Sequence, residues 1–304
     1  MKQPYWIVAL IGGIAFIGLP CVTIDKDNLW ITHPPSSILL VSVGMILLLF
    51  SVLAFGSTLL PKKEAGATGG LDLTRVKEVD GTLSTCVGNC EINVVEGRIE
   101  DYTVKTGTAI VLPCNEYFDD RCAADTRSAL GAYVNRVFEG QAKELIALIK
   151  DECKRKLGNG IQQQKTDDEL AESYGAGECV LLMQPLGRSI PIALVSTTTQ
   201  RAGQGLAGRI SYLFDGMHEL IVRLADARIN EAAMPVLGSG HGGIDPPLAF
   251  IGLLLAIAEA ARYGQGGQRL KKVTIVVFKS DKEGSPEVDR VVVRRGLALI
   301  GSRE

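Results

Sequence analysis

The stretch Met234–Pro247 constrains the fold of this chain more than any other. An apolar segment, residues 232–237, leads directly into Gly238–Gly243, where four of six residues are glycine. Asp245 and the two prolines after it are typical of the start of a helix. The pattern therefore predicts a buried strand, a glycine loop and a helix. Glycines let successive backbone N–H groups turn into one concavity, and beside a helix N-terminus such groups form a site for phosphate.

The N-terminal part of the chain contains two long apolar runs without a charge, Tyr5–Ile24 and Ile38–Leu60. At about 1.5 Å of rise per residue, each is long enough for a helix to cross a hydrocarbon core of about 30 Å. A cleaved signal peptide is the rival interpretation of the first run. Only Lys2 precedes it as a basic residue, however, and a second run of spanning length follows at once, which disfavours cleavage. We therefore predict two transmembrane helices.

The charges around these runs predict their orientation. Lys2 precedes the first run and Lys62 and Lys63 follow the second, whereas the turn between them, residues 25–35, offers only Lys26. Basic residues favour the cytoplasmic side, so both termini are expected in the cytoplasm. Neither run holds an ionisable residue, which argues against a transporter, and small residues in both permit close helix contact. The pair is thus an anchor or a bundle that acts by assembling.

The remaining chain is predicted to form a flexible linker, residues 61–70, and a folded domain, residues 71–304. Strand and helix patterns alternate in the domain, which predicts an α/β sheet covered on both faces. The apolar segment 248–258 is too short for a third span and is predicted to be a core helix. The other predicted strands are 91–95, 107–112, 179–183, 190–195 and 273–278, the other predicted helices are 120–138, 142–157 and 206–224, and the tail 288–299 is either an edge strand or a contact between subunits.

Composition excludes several classes of function. A net charge of −2 and a pI near 6.0 give no electrostatic case for nucleic-acid binding. Seven cysteines, an odd number without regular spacing, argue against a disulfide scaffold and for a reducing compartment. No second close pair completes a zinc set with Cys86 and Cys90, so no metal is expected.

Four segments of the domain carry a family resemblance: Val94–Glu100, Ala109–Asn115, Ile192–Thr199 and Pro235–Gly243. In order and spacing they resemble the macro domain, an ADP-ribose-binding fold of three α/β/α layers with a mixed central sheet. Two spans ahead of such a domain resemble the membrane-anchored macro effectors of type II Thoeris, a bacterial antiphage defence. In that family a TIR-domain partner makes histidine-ADP-ribose. The macro domain binds it, and the effector oligomerises and disrupts the inner membrane, an abortive infection.

The resemblance implies where the ligand binds. Adenine lies against Gly97–Ile99 and the ring of Phe278, the distal ribose near Asn115, and the diphosphate in the glycine loop. Arg98 stands where many macro domains have an aspartate that accepts from the adenine amino group; because arginine cannot accept, backbone groups or Asp101 are expected to substitute. The implied ligand-binding residues are Gly97, Arg98, Ile99, Asn115, Asp119, Asp120, Gly238, Ser239, Gly240, His241, Gly242, Gly243 and Phe278.

The segment after Asn115 departs from the family pattern. Hydrolytic macro domains continue there into a glycine-rich loop that places a water near the distal ribose, whereas this chain has the bulkier and more acidic Glu116–Cys122. The loss of glycines favours a ligand reader over a hydrolase. Asp119 and Asp120 are expected to pair with a cationic group on that ribose, such as a histidyl moiety; alternatively, Asp120 caps the following helix.

Two catalytic interpretations of the glycine loop are weak. Ser239 beside His241 does not make a nucleophile elbow, because the position two before the serine is Leu237 rather than glycine. The spacing also satisfies G-x-G-x-x-G, but it lies late in the domain, and the last strand is followed by Lys279 rather than an acid. No catalytic residue and no cofactor are therefore expected.

The function expected from the resemblance is an antiphage receptor-effector in the bacterial inner membrane. Its cytosolic domain binds the ADP-ribose-type signal, and its spans form homo-oligomers in the lipid bilayer. The runner-up is a membrane-tethered ADP-ribosyl hydrolase, and a third alternative is a passive anchored binder with inert spans.

Overall fold

The computed structural model describes residues 23–25, 28–30, 71–119, 123–201, 203–279 and 285–301. Its contacts divide the chain into two units, Met1–Gly70 and Leu71–Glu304. In the first unit, β1 (Thr23–Asp25) and β2 (Asn28–Trp30) pair antiparallel. The end of the first predicted span, residues 23 and 24, is thus a strand. Otherwise the two spans and the linker lie outside the described residues.

The second unit is built on one mixed sheet with the strand order β11-β10-β6-β12-β13-β5-β4-β3, and β9 also pairs with β10. The five strands from β10 to β5 are parallel neighbours, and the strands on either side are antiparallel. The strands are β3 (Lys77–Val79), β4 (Thr82–Val87), β5 (Cys90–Gly97), β6 (Thr108–Asn115), β9 (Cys179–Leu182), β10 (Ile192–Arg201), β11 (Gln204–Gly208), β12 (Glu231–Pro235) and β13 (Lys272–Phe278).

Helices cover both faces of this sheet, because side chains alternate in direction along each strand. Along β6, Ala109 and Val111 join one apolar cluster, whereas Ile110 and Leu112 join the other. The first cluster includes α3, α4 and α5, and the second includes α1 and α2. The predicted three-layer fold with a mixed sheet is therefore confirmed. The helices are α1 (Ala129–Val137), α2 (Ala142–Leu157), α3 (Ile210–Asp226), α4 (Pro246–Tyr263) and α5 (Arg290–Ile300).

Helix α4 confirms the prediction of a core helix over 248–258. Phe250, Leu253 and Ile257 are fully buried in the first cluster. Among the described residues, α4 is also the one helix whose length and apolar composition suffice to cross a membrane. A core helix of a folded domain can have the same length and apolar composition, and 56 % of α4 is buried inside the fold.

The tail is a helix, so the alternative of an edge strand is wrong. Helix α5 begins after Asp289, whose side chain accepts from the N–H of Val291 at 2.7 Å. Its buried residues include Val293, Leu297 and Ile300, a spacing of four and three that the neighbouring valines and arginines conceal in the sequence. The helix packs on α4 and completes one layer over the sheet.

Two other predictions differ in detail, and one hairpin was not predicted. Within the helix predicted over 120–138, residues 123 and 124 are helical and α1 begins at Ala129, where Ser128 is the cap and its hydroxyl accepts from the N–H of Gly131 at 2.9 Å. Leu206, placed by its spacing on the following helix, lies in β11. The glutamine-rich segment 159–172 contains a hairpin of β7 (Ile161–Thr166) and β8 (Glu169–Ser173).

Candidate ligand-binding site

A cavity of about 680 Å³ opens where the parallel strands end. Its walls come from the segments that follow β5, β6, β12 and β13, together with residues near the end of β10 and the start of α1. Ligands of open α/β sheets bind at this edge, because the loops that leave the carboxyl ends of parallel strands meet there. The volume is within the range of small-molecule sites in proteins.

Gly238–Gly243, here named the phosphate loop, follows β12 and forms the floor of the cavity. Gly238 has φ of +84°, a left-handed conformation that disfavours other residues. At Gly242, an added Cβ would lie 2.7 Å from the carbonyl oxygen of Gly238 and 2.9 Å from Cγ2 of Thr198. Both positions therefore require glycine to keep the loop in this shape.

The phosphate loop leaves its backbone donors open. From Gly238 to Gly242, no N–H group donates to a backbone or side-chain acceptor among the described residues of the domain. The next two donors are used, because the N–H of Gly243 bonds to Gly240 O at 3.1 Å and that of Ile244 to Gly238 O at 3.3 Å. Gly238 and Gly242 are buried, where backbone donors are almost always paired, and the N–H groups between them belong to the same turn. The run is therefore suited to an anion. The start of α4 at Pro246 adds the positive end of a helix dipole.

At one end of the cavity, the ring of Phe278 is 41 % exposed at the carboxyl end of β13. The guanidinium carbon of Arg98 lies 5.6 Å from the ring centroid, within the range of a cation–π contact. Arg98 Nε also lies 3.2 Å from Glu100 Oε1. Asp101 forms an ion pair with Arg136 at 3.5 Å and is not part of the cavity wall.

Glu287 is a carboxylate in the wall beside Phe278 that the sequence did not single out. Its Oε1 accepts from the backbone N–H of Phe278 at 3.2 Å, and its Oε2 lies 3.4 Å from Ser239 Oγ. Burial raises the pKa of Glu287 above its ordinary value, although the two hydrogen bonds act in the opposite direction. The residue thus links the end of β13 to the phosphate loop.

Asn115 lies at the other end of the cavity, where its side chain is 1 % exposed. Its Oδ1 accepts from the N–H of Tyr117 at 3.1 Å, and its Nδ2 donates to Asp119 Oδ1 at 3.2 Å. The side chains of Glu116, Tyr117 and Phe118 are also buried. The segment Asn115–Asp119, here named the packed loop, therefore forms a compact wall and holds its own shape.

Contacts outside the packed loop fix it further. The carboxylate of Asp119, 8 % exposed, forms an ion pair with Lys165 of β7, which is only 2 % exposed. Glu116 Oε1 accepts from the N–H of Gln200 at 3.1 Å, and the hydroxyl of Tyr117 donates to Gln200 O at 3.2 Å. The acidic and aromatic side chains of this segment are thus occupied by the protein itself.

A polar group missed by the sequence analysis, Asp125 with Arg127, faces the phosphate loop. His241 Nε2 lies 3.1 Å from Asp125 Oδ2, while Arg127 donates to both oxygens of that carboxylate, at 3.0 and 2.9 Å. These bonds from Arg127 hold the pKa of Asp125 well below its ordinary value, with a smaller contribution from His241. The sequence signal was the start of α1: Ser128 donates to Asp125 O at 2.8 Å and caps the helix.

The structure brings most of the sequence-predicted residues into one wall: Gly97, Arg98, Ile99, Asn115, Gly238, Ser239, Gly240, His241, Gly242 and Phe278. Gly243 and Asp119 are outside this wall, and Asp120 is not among the described residues. Within the described ranges, no group of three or more His, Cys, Asp or Glu side chains is arranged to hold a metal ion.

Comparison with known proteins gives a family match. The family model described as Thoeris protein ThsA, Macro domain, matches residues 99–278. No curated protein matches the chain. Among solved structures, a mutant macrodomain of Oceanobacillus iheyensis determined with ADPR is similar at a TM-score of 0.50 and 12 % identity, over 72 % of this chain and 98 % of that one. This likeness concerns the fold.

Two further structures are similar at lower scores. The macrodomain of Thermus aquaticus DarG has a TM-score of 0.40 and 19 % identity, over 62 % of this chain and 98 % of that one. Thermosipho africanus DarTG, in complex with ADP-ribose, has a TM-score of 0.44 and 15 % identity, over 71 % of this chain and 47 % of that one.

Proposed function

The chain belongs to the family of the Thoeris protein ThsA macro domain, and from this membership we propose that it binds an ADP-ribose-type signal in antiphage defence. One observation carries the proposal: five consecutive backbone N–H groups, Gly238–Gly242, lie in the wall of a cavity and have no acceptor in the part of the chain that the structure describes. A diphosphate supplies oxygen acceptors and negative charge for such donors. His241 adds a side-chain donor to phosphate or ribose.

On this proposal the ligand extends along the edge of the sheet in both directions from the phosphate loop. Strands β13 and β5 lie on one side of β12, and β6 and β10 lie on the other. The adenine then stacks on Phe278 beside Gly97–Ile99, and the distal ribose lies near Asn115. The adenine and the distal ribose are thus placed at different strands, and neighbouring strands are about 4.8 Å apart. The separation between these two ends of the site suits a dinucleotide-sized ligand.

We further propose that the domain reads the signal without hydrolysing it. The packed loop supports this, because its side chains are buried and its polar atoms are bonded within the protein. A hydrolytic water near the distal ribose needs a flexible neighbouring backbone and a free acceptor. Steady release of ADP-ribose from ADP-ribosylated protein, abolished by Asn115→Ala, would instead establish the alternative of a membrane-tethered hydrolase.

The finer proposal is a membrane-anchored type II effector in the inner membrane, with both termini in the cytoplasm. Its signal is histidine-ADP-ribose made by a TIR-domain protein, and binding drives the two spans, 5–24 and 38–60, to oligomerise and disrupt the bilayer. A ligand shifts such an equilibrium only by its differential affinity for the assembled state. A change from 1 % to 99 % assembled requires a preference of about ten-thousandfold, so the unliganded chain must lie close to the transition.

The test is calorimetry of the full chain in lipid nanodiscs with histidine-ADP-ribose and with ADP-ribose. We expect binding of both and tighter binding of the histidine derivative. Failure of both to bind overturns the proposed function. Replacement of the two spans by an unrelated anchor tests the membrane step: defence should be lost while binding is kept, and retained defence would show that the spans are a passive anchor.

A further inference from the structure

The end of the cavity beside Phe278 contains more polar groups than stacking requires. The exposed ring offers a face on which a nucleobase can stack, and such stacking accepts every base. Discrimination among bases needs hydrogen bonds to their edges. Arg98, next to the ring, has only donors and cannot accept from an amino group.

Two carboxylates line this end of the cavity, Glu100 and Glu287. Glu100 lies 3.2 Å from the guanidinium of Arg98 and thus neutralises a cation. Within the described part of the chain, Glu287 has no cationic partner: its oxygens are bonded to the backbone N–H of Phe278 and approached by Ser239 Oγ. Because a carboxylate can accept about four hydrogen bonds, Glu287 keeps acceptor capacity for a ligand.

The contact with Ser239 leaves this capacity open. Ser239 has one hydroxyl hydrogen, and its bond to Val236 O is 2.9 Å long, against 3.4 Å to Glu287 Oε2. The contact with Oε2 is the longer of the two, and a carboxylate oxygen has two acceptor positions, so Oε2 keeps at least one of them for a ligand. The bond from the N–H of Phe278 to Oε1 meanwhile ties the carboxylate to the residue that carries the ring.

We propose that Glu287 is the specificity-determining residue of the site, accepting a hydrogen bond from the exocyclic amino group of a base stacked on Phe278. The inference rests on the proposed function and adds to it the source of base selectivity. It replaces the expectation that Asp101 takes this role, since Asp101 is paired with Arg136 outside the cavity wall. The site then selects a 6-amino purine over a 6-oxo purine.

The experiment compares ADP-ribose with inosine diphosphate ribose by calorimetry on the full chain in lipid nanodiscs. The inosine compound has a carbonyl oxygen in place of the amino group, which would face the carboxylate of Glu287 without a hydrogen between them. We expect the wild-type chain to bind ADP-ribose about ten- to a hundredfold more tightly, the loss typical of a hydrogen bond to a charged group.

In Glu287→Gln the preference should fall to within about threefold, because the amide offers a donor to the 6-oxo purine as well as an acceptor to the amino group. Asp101→Asn is the matched control, the same type of change at an exposed pair outside the cavity, and should keep the wild-type ratio. A purely structural role for Glu287 would weaken both nucleotides equally and leave the ratio unchanged, which overturns the inference.

Two other results also decide the question. Equal binding of both nucleotides to the wild-type chain overturns this inference alone and leaves the proposed function intact. Binding of neither overturns both. A preference lost in Glu100→Gln and kept in Glu287→Gln assigns the role to Glu100 instead and rejects the proposal.

Discussion

The phosphate loop and the packed loop lie on neighbouring strands, β12 and β6, and face the same cavity, yet they use their polar groups in opposite ways. In the phosphate loop, Gly238–Gly243, five consecutive N–H groups have no acceptor among the residues that the structure describes. In the packed loop, Asn115–Asp119, the side chains of Asn115, Glu116, Tyr117 and Asp119 are all bonded within the protein. One loop offers donors to a ligand and the other forms a fixed wall, and this contrast supports the proposal that the domain reads its ligand.

The largest expected effect is on the ion pair that holds the packed loop in place. Lys165→Met removes the buried cation that pairs with the carboxylate of Asp119, and loss of one partner of a buried ion pair costs about 3 kcal/mol or more. For a domain of this size, the melting temperature should fall by about 10 °C. Thermal unfolding of the full chain measures it, with the exposed Lys154→Met on α2 as the matched control.

The double variant Asp119→Asn with Lys165→Met should recover part of this loss, because residue 119 then carries no buried charge. An unchanged melting temperature in Lys165→Met would show that the ion pair does not stabilise the packed loop. It would contradict the contrast drawn between the two loops.

The next effect is on the phosphate loop. Gly242→Ala puts a Cβ 2.7 Å from Gly238 O, closer than atoms can approach, so the loop must change shape and lose its N–H array. The loss of two hydrogen bonds to a charged ligand amounts to about 3 kcal/mol, or about a hundredfold in Kd for ADP-ribose. Gly205→Ala on β11, where an added Cβ meets nothing within 4 Å, is the control and should bind normally. Equal affinities of the two variants would contradict the assigned role of the loop.

Phe278→Ala tests the ligand orientation with a smaller effect. Loss of one base–aromatic stack costs about 1 to 3 kcal/mol, so we expect roughly a tenfold or greater loss in affinity for ADP-ribose by calorimetry. Ribose 5-phosphate, which lacks the base, should bind Phe278→Ala as it binds the wild-type chain. If both ligands lost affinity together, the ring would serve the fold rather than the base.

The smallest effect is the pH dependence of the contact between Asp125 and His241. Arg127 lowers the folded-state pKa of Asp125, so its contribution to stability is present above the unfolded value near 3.9 and is lost as pH falls through the lower folded value. The melting temperature of Asp125→Asn should therefore lie slightly below that of the wild-type chain from pH 5 to 7, by a gap that closes below about pH 4. If the difference in melting temperature instead grew as the pH falls, the predicted direction of the pH dependence would be wrong.

Sequence patterns predicted the core of the fold and most of the site. Alternating apolar strands and helices indicated a covered sheet, and Asp245 with the following prolines placed the start of α4 within one residue. The tail was more difficult, because Val293, Leu297 and Ile300 of α5 are masked by valines on its exposed side. Strand β3 and the hairpin of β7 and β8 were missed, since their polar sequences have no apolar alternation to indicate a strand. Strand β4 was missed although Leu83 and Val87 alternate on its buried side, because polar residues stand between them.

The sequence by itself indicated the phosphate loop, because its glycines and the helix start at Asp245 are signals carried by neighbouring residues. The tertiary structure decided which charged groups serve the cavity. Asp119 is bonded to Lys165, 46 positions away, and Glu287 reaches Phe278 and Ser239 across the edge of the sheet. The availability of a carboxylate for a ligand depends on the cations and N–H groups that folding brings beside it, and these partners are distant in sequence.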